Sequence, residues 1–149
     1  VNTLAPYVLT CLIQKPKRLI YLTSGMHLNG QSKLESFKND VRRITYSDSK
    51  LHNMILCKAV ALRWPDVCAN AVDPGWVPTK MGGAAATDNL QRGYETQVWL
   101  AESNDEKAKV TGQYFYHKKT RPCNPQAEDH LLQDRFLALC KEITGISFP

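Results

Sequence analysis

The chain has 149 residues, of which 43% are hydrophobic and 22% charged, an ordinary globular composition that excludes intrinsic disorder. This length suits one domain with its own hydrophobic core. The net charge of +5 is modest, and the densest basic run, residues 118–121, lacks interleaved aromatic residues. We therefore predict that this run is a solvated loop and that the protein has no nucleic-acid partner.

The cysteines and histidines give no sign of a metal site or of disulfides. The five cysteines form no Cys-x-x-Cys pair, which predicts free thiols in a reducing compartment, and we expect a cytoplasmic protein. The four histidines share no metal-ligand spacing, although His27 follows a predicted strand closely enough to line a pocket instead of packing. No apolar run approaches the ~18 residues of a membrane span. The chain begins at Val1, not Met, which leaves a preceding targeting or anchor segment open.

The hydrophobic pattern predicts alternating helices and strands. The predicted helices cover residues 2–13, a short stretch at 34–41, Tyr46–Arg63, a segment capped by Thr87 or Asp88 and ending near 103, and a last segment that follows Pro125 and ends at Gly145. The predicted strands cover residues 19–23, 67–72 and 113–117. This order predicts an α/β domain with parallel strands.

A tyrosine and a lysine stand four residues apart at the head of the long helix, in Thr45-Tyr46-Ser-Asp-Ser-Lys50. At this spacing both side chains project from one helical face, about one turn apart. A phenol with a pKa near ~10 is a poor base at neutral pH, and a neighbouring ammonium favours the phenolate. The pair therefore indicates a proton donor and acceptor, the alternative being two solvated side chains.

Two further segments flank this pair. The first predicted strand ends in Thr-Ser-Gly at residues 23–25, and the next strand ends in Asp-Pro-Gly-Trp-Val-Pro-Thr at residues 73–79. A strand ending in serine, Tyr-x-x-x-Lys on a helix and a strand ending in Pro-Gly-x-x-x-Thr together resemble the C-terminal half of the short-chain dehydrogenase/reductase family. The tail from Gln113 resembles the family's ketoreductase and retinol-dehydrogenase-like branch.

The resemblance implies a role for several residues. Ser24 would hydrogen-bond the substrate carbonyl, unless it only caps its turn, and Tyr46 would be the general acid in reduction and the base in oxidation. Lys50 would support Tyr46 and hold ribose hydroxyls of the cofactor. Asn2 matches an asparagine that anchors a water in a proton relay, or else caps its helix. Four residues match the segment that lies against the nicotinamide: Pro74, Gly75, Val77 and Thr79. Asp73 and Trp76 are expected to serve the turn and the pocket wall.

The fold implied is a partial doubly wound, Rossmann-like parallel sheet, in a single partial dinucleotide-type domain over residues 1–149. The cofactor implied is NAD or NADP, and the reaction is hydride transfer between the nicotinamide and a carbonyl or secondary alcohol. The glycine-rich turn that binds the cofactor's phosphates in such folds has no counterpart among the eight glycines. We therefore predict a chain that lacks the N-terminal half and leaves its first strand at a sheet edge.

Two partners are expected. Trp76, Met81 and the alanines at 84–86 suggest a small apolar carbonyl or alcohol substrate, and the Gly82-Gly83 pair before these alanines resembles a mobile flap. The helix Tyr46–Arg63 is apolar on more than one side, which predicts a homodimer through this helix. The alternative from another class is a non-catalytic remnant or interaction module that binds no cofactor alone.

Overall fold

The computed structural model describes all 149 residues and contains five α-helices and four β-strands. The helices are α1 (Leu4–Leu12), α2 (Leu34–Asn39), α3 (Tyr46–Arg63), α4 (Leu90–Glu102) and α5 (His130–Thr144). The strands are β1 (Arg18–Leu22), β2 (Cys68–Asp73), β3 (Tyr114–Tyr116) and β4 (Lys119–Arg121). Single 3-10 turns lie at Gly25–Asn29, Val41–Arg43, Glu106–Ala108 and Pro125–Glu128.

The strands form one sheet in the order β1-β2-β3-β4. Strands β1, β2 and β3 are parallel, with Ile20 opposite Asn70 and Val72 opposite Phe115. The predicted partial doubly wound α/β sheet is therefore confirmed. Strand β1 lies at the edge of the sheet, as expected, and its last residue, Leu22, is half exposed.

Strand β4 corrects the prediction of a solvated loop at residues 118–121, because this segment pairs antiparallel with β3. The hairpin turns at His117 and Lys118, whose φ angles are +49° and +59°. Left-handed turns of this kind usually carry glycine or asparagine, so the sequence holds no turn signal here. The backbone N–H of Lys118 donates to the hydroxyl of buried Thr96 on α4 (3.0 Å), which stabilises the turn.

Helix α3 begins and ends as predicted, and a capping box defines its start. The hydroxyl of Thr45 accepts from the backbone N–H of Asp48, whose carboxylate accepts from the N–H of Thr45. The sheet covers one side of α3, and α5 and the turn Pro125–Glu128 cover another. The prediction of two apolar sides is therefore confirmed, and the same chain buries both.

Helices lie on both faces of the sheet. On the face of α3, one core cluster includes Tyr7, Leu51 and Phe136, and the ring of Phe136 packs 5.4 Å from that of His52. On the opposite face, Leu100 of α4 packs in a smaller cluster that includes Val72 and Phe115 of the sheet. Because the helices cover the two faces of the sheet, the carboxyl ends of the parallel strands stay open. Proteins with α/β sheets bind ligands at these ends.

Two helix ends show how the predicted caps compare with the structure. Helix α4 is capped by Asn89, whose side chain accepts two backbone N–H groups, and not by Thr87 or Asp88. Helix α5 begins after the N-cap Asp129 and ends at Gly145, which has a φ of +73° as a C-cap glycine requires. The cap of α4 was misplaced because three consecutive polar residues can each fill that position.

The remaining global predictions concern membranes, thiols and metals. None of the helices combines the length and apolar character needed to cross a bilayer. All five cysteines are free. No group of three or more histidine, cysteine or acidic side chains is arranged to hold a metal ion.

Candidate active site

The carboxyl end of β1 is attached to the first turns of α3. The hydroxyl of Thr23 donates to the carbonyl of Lys50 (2.9 Å), which holds the next residue, Ser24, beside the head of the helix. The Ser24 hydroxyl accepts from the N–H of Met26 (3.3 Å) and caps the turn Gly25–Asn29. Ser24, a half-buried residue, therefore caps its turn, and it also follows the carboxyl end of β1.

Tyr46 and Lys50 lie together at the head of α3, as their spacing predicts. The Lys50 ammonium is 5.5 Å from the centroid of the Tyr46 ring, and the Tyr46 side chain is 50% exposed. The ammonium also donates to the carbonyl of Leu22 (3.2 Å) on β1. Burial lowers the pKa of Lys50, and the Asp73 carboxylate partly opposes that change. The structure thus joins an accessible phenol to a cation.

Asp73, at the end of β2, connects the ends of three strands. One carboxylate oxygen accepts from the N–H of Gly25 (2.9 Å) and the hydroxyl of Tyr114 (3.3 Å). The other accepts from the N–H of Gly75 (2.9 Å). Asp73 therefore fixes the turn after Ser24 relative to the Pro-Gly turn, in agreement with its predicted place in the turn.

The Pro-Gly segment folds into a loop closed by Asp88. Gly75 has a φ of +80°, and a Cβ there would lie 2.5 Å from an oxygen of Asp88, so the turn requires glycine. Trp76 and Asp88 are joined by two hydrogen bonds, from the N–H of Trp76 to the carboxylate (2.6 Å) and from the N–H of Asp88 to the Trp76 carbonyl (2.9 Å). The exposed Thr79 hydroxyl accepts from the N–H of Gly82 (3.1 Å).

Pro74 and Val77 are half-buried members of the same segment. Val77 faces α4 at Gly93, where an added Cβ would lie 2.6 Å from a methyl group of Val77. This close approach of loop and helix explains why α4 tolerates a glycine in its first turns. The predicted nicotinamide-facing residues therefore occupy one loop, which begins at the end of β2 and is packed on α4.

Asn2 lies beside α3, where its amide donates to the hydroxyl of Ser49 (3.4 Å). The N-cap of α1 is Thr3, so Asn2 is not the helix cap. Asn2 and Lys50 line a groove of about 380 Å³ along β1, together with Asn53. Sequence reasoning missed Asn53, although it follows Lys50 by three residues and shares its helical face.

The amide nitrogen of Asn53 donates to the carbonyl of Leu22 (3.2 Å), the same oxygen that accepts from Lys50. Its amide oxygen is buried and has no hydrogen-bond partner. A buried acceptor without a donor is costly to the stability of the fold. Lys50 and Asn53 thus both donate to the Leu22 carbonyl at the open edge of β1.

His27 is fully buried and packs against other residues, so the pocket-lining alternative is not what the structure shows. Its Nε2 accepts from the backbone N–H of Asn124 (3.3 Å), so Nδ1 carries the proton and donates to the Ser24 carbonyl (2.7 Å). Burial lowers the pKa of His27, which favours this neutral form. The Asn124 amide donates to the carbonyls of Leu28 and Gly30, a link over 90 residues that spacing does not reveal.

Comparison with known proteins identifies relatives along the whole chain, although no family model matches it. The chain is 40% identical over its full length to the short-chain dehydrogenase chyC of Penicillium rubens, of which it covers 60%. Over 87% of its length it is 29% identical to DnrU of a Streptomyces species, provisionally named a daunorubicin C-13 ketoreductase, of which it covers 50%. A crystal structure of an uncharacterised Mycobacterium paratuberculosis protein matches 99% of the chain with a TM-score of 0.75. At 22% identity and 58% coverage of that chain, this match shows the fold.

The fold is that of an α/β protein whose motif residues follow the carboxyl ends of parallel strands, the usual place of ligand sites in such sheets. Along its whole length the chain is similar to curated proteins named short-chain dehydrogenases, so the resemblance seen in its motifs is confirmed. It spans about 60% of the length of the curated relatives it matches along its whole length. This coverage is consistent with the C-terminal part of the family's domain.

Proposed function

We propose that this chain supplies the carbonyl-binding and proton-transfer part of an NAD- or NADP-dependent oxidoreductase that interconverts a carbonyl and a secondary alcohol. The observation that carries the proposal is the Tyr46–Lys50 pair, whose ammonium donates to the carbonyl at the end of β1, two residues before Ser24. Relatives named short-chain dehydrogenases support oxidoreductase chemistry, and the name of the Streptomyces relative supports a carbonyl substrate.

Each of the three side chains has a separate task in this proposal. The Ser24 hydroxyl hydrogen-bonds the carbonyl oxygen of the substrate. The Tyr46 hydroxyl gives its proton to that oxygen during reduction and takes it back during oxidation. The Lys50 ammonium favours the phenolate that remains after the proton has left. When bound, the nicotinamide supplies or accepts the hydride.

The residues present fit the nicotinamide and ribose end of the cofactor. The Thr79 hydroxyl and the backbone of Pro74, Gly75 and Val77 offer polar groups suited to the carboxamide, and Lys50 offers a cation suited to ribose hydroxyls. The sequence holds no glycine-rich turn for the phosphates. We therefore assign the phosphates, and the choice between NAD and NADP, to polypeptide outside these residues.

The open edge of β1 supports the proposal that this chain works as part of a larger domain. The groove along β1 is lined mainly by apolar side chains, and Leu9 and Leu22 are exposed beside it. Open strand edges beside apolar surface pair readily with another strand. We propose that a further strand pairs with β1 in the complete polypeptide and buries this groove. The substrate, by the same proposal, is a small apolar carbonyl or alcohol near Trp76 and Met81.

A non-catalytic interaction module is the second candidate, and the same open edge favours it. An unpaired strand beside an apolar groove is a typical surface for strand addition by a partner. The two candidates differ in what the Tyr46 hydroxyl does, because an interaction module has no use for a proton donor. Activity measurements on Tyr46 variants therefore separate the two candidates.

The free cysteines give information about the cellular compartment of the protein. All five cysteines are unpaired, and burial raises the pKa of Cys140 to about 12. Thiols with raised pKa values in apolar surroundings are chemically inert. Because proteins of reducing compartments keep their thiols free, we propose that the compartment is the cytoplasm.

The 149-residue chain alone is expected to bind NADH and NADPH poorly, because it offers contacts to the nicotinamide end but no turn for the phosphates. Titration calorimetry of both cofactors checks this, with the full-length Penicillium relative as a positive control. A low-micromolar dissociation constant for the isolated chain would contradict the assignment of the phosphate site.

Self-association is expected at the edge of β1. The predicted homodimer through α3 loses its main support, because α5 and the turn Pro125–Glu128 already cover the second apolar side of that helix. We expect Leu22→Lys to reduce association of the isolated chain in sedimentation velocity, since a charge on an open edge prevents pairing. Leu62→Lys, at the equally exposed end of α3 (54% against 50%), is the matched control and should change nothing. If Leu62→Lys reduced association and Leu22→Lys did not, the result would instead support the predicted homodimer through α3.

A further inference from the structure

A second concave site lies between α4 and the β3–β4 hairpin. It has a volume of about 370 Å³ and is lined by Arg92 and Glu95 of α4 and by residues 116–119 and Arg121 of the hairpin. Four of these side chains carry a full positive charge, and one carries a negative charge. The basic run predicted as a solvated loop thus forms one wall of a pocket whose other wall is a helix.

The four cations of this pocket have no carboxylate partner: Arg92, Lys118, Lys119 and Arg121. The Glu95 carboxylate accepts instead from the side-chain amide of Gln91 (2.7 Å). Elsewhere in the chain, lysines such as Lys33 and Lys58 form ion pairs at 2.8 and 2.5 Å. Unpaired like charges gathered around one concavity repel each other, and an anion between them removes that repulsion.

The hairpin holds this arrangement in a conformation that glycine-free turns rarely adopt. His117 and Lys118 both have positive φ angles, which are unfavourable for residues that carry a Cβ. The hydrogen bond from the N–H of Lys118 to buried Thr96 ties the turn to α4. The ring of His117 lies against that of Tyr116, with centroids 3.8 Å apart and ring planes tilted by 43°. The pocket therefore has a fixed aromatic side as well as a ring of cations.

We propose that this pocket binds a small organic phosphate. Two guanidinium groups provide planar pairs of donors that match phosphate oxygens, and the lysines add point charges. The rings of Tyr116 and His117 offer an aromatic surface to the organic part of the ligand. Charged residues on the exposed edge strand β4 also discourage unwanted pairing, but that role does not account for Arg92, which projects from a different element.

The test is a ¹H–¹⁵N NMR titration of the 149-residue chain with inorganic phosphate and, separately, with phenyl phosphate, at constant ionic strength. We expect saturable shifts of the amides of residues 117–119 and of Arg92, with phenyl phosphate binding more tightly. Arg92→Gln and Arg121→Gln should each weaken binding about tenfold. Arg43→Gln removes an equal charge from an exposed arginine outside the pocket and should leave binding unchanged.

Three results would overturn the proposal. Shifts that grow linearly without saturation would show only diffuse charge screening. An equal loss of binding in Arg43→Gln would show that net charge, and not this pocket, attracts phosphate. If inorganic phosphate bound as tightly as phenyl phosphate, the pocket would not recognise the organic part of the ligand, and the proposal would be wrong. If Arg92→Gln fails to fold, Arg121→Gln on the exposed edge strand carries the test by itself. Because the readout is binding to the isolated chain, it does not depend on the oxidoreductase proposal.

Discussion

Tyr46→Phe is expected to reduce turnover by ~10²–10⁴ in the complete polypeptide, because general acid catalysis typically contributes that factor. The substitution removes one hydroxyl and keeps the ring that lies over the Lys50 ammonium, so the fold should not change. Cofactor affinity should also stay the same, since the lysine and not the tyrosine is assigned to the ribose. Steady-state kinetics and cofactor titration of the same variant check both expectations.

Two further variants make this test specific. Tyr94→Phe removes a hydroxyl from a tyrosine on α4 that is as exposed as Tyr46 (53% against 50%), and it should retain activity. Lys50→Ala should reduce turnover and weaken cofactor binding, because the phenolate loses its neighbouring positive charge and the ribose hydroxyls lose their proposed partner. If Tyr46 and Lys50 are only solvated side chains on a helix face, all three variants should show near-normal kinetics. A Tyr46→Phe protein that keeps most of its activity would therefore contradict the catalytic assignment of Tyr46.

Asp48→Ala is expected to destabilise the isolated chain by about 3 kcal/mol, since it breaks a buried ion pair and leaves buried donors without acceptors. The Asp48 carboxylate is 3% exposed and accepts from the Lys33 ammonium (2.8 Å) and the N–H groups of Gln31 (2.8 Å) and Thr45 (2.9 Å). It lies between Tyr46 and Lys50 in sequence and forms the capping box that starts α3. Urea unfolding measures the loss.

The pH dependence provides an independent check. Burial alone would raise the pKa of Asp48, but the Lys33 ammonium and the N–H donors lower it to about 2 from an ordinary value of 3.8. This depressed pKa contributes about 2 kcal/mol of stability above pH 3.8, and the contribution is lost as the pH falls from 3.8 towards 2. The difference in the free energy of unfolding between the natural chain and Asp48→Asn should therefore shrink as the pH falls from 3.8 towards 2. Asp134→Ala, which removes an exposed ion-pair partner, should show a much smaller loss at all pH values. Equal losses for Asp48 and Asp134 would contradict the buried network.

Local patterns predicted what depends on local geometry. The bounds of α3 follow from its apolar period and the Thr45 cap, and the contact of Lys50 with Tyr46 follows from a spacing of one helical turn. The parallel order of the first three strands follows from their alternation with helices. In these cases each residue's neighbours in the sequence are also its neighbours in space.

The remaining features depend on contacts between distant residues. Asp73 reaches Gly25 across 48 positions and Tyr114 across 41, so no spacing rule identifies it as the centre of the site. Asn124 binds carbonyls more than 90 positions away. Strand β4 was missed because its turn has no glycine, and its side chains are polar because they lie on an exposed edge.

In the proposed reaction this chain donates a proton to a carbonyl oxygen, and the carbonyl carbon would receive a hydride from the bound nicotinamide. The most direct measurement gives the complete polypeptide a panel of small ketones with NADH or NADPH deuterated at the transferring position of the ring, and analyses the products by mass spectrometry. We predict an alcohol that carries one deuterium on its carbinol carbon, formed by the natural sequence and lost in Tyr46→Phe. An alcohol without deuterium, or the same yield of labelled alcohol from Tyr46→Phe, would contradict the assigned mechanism.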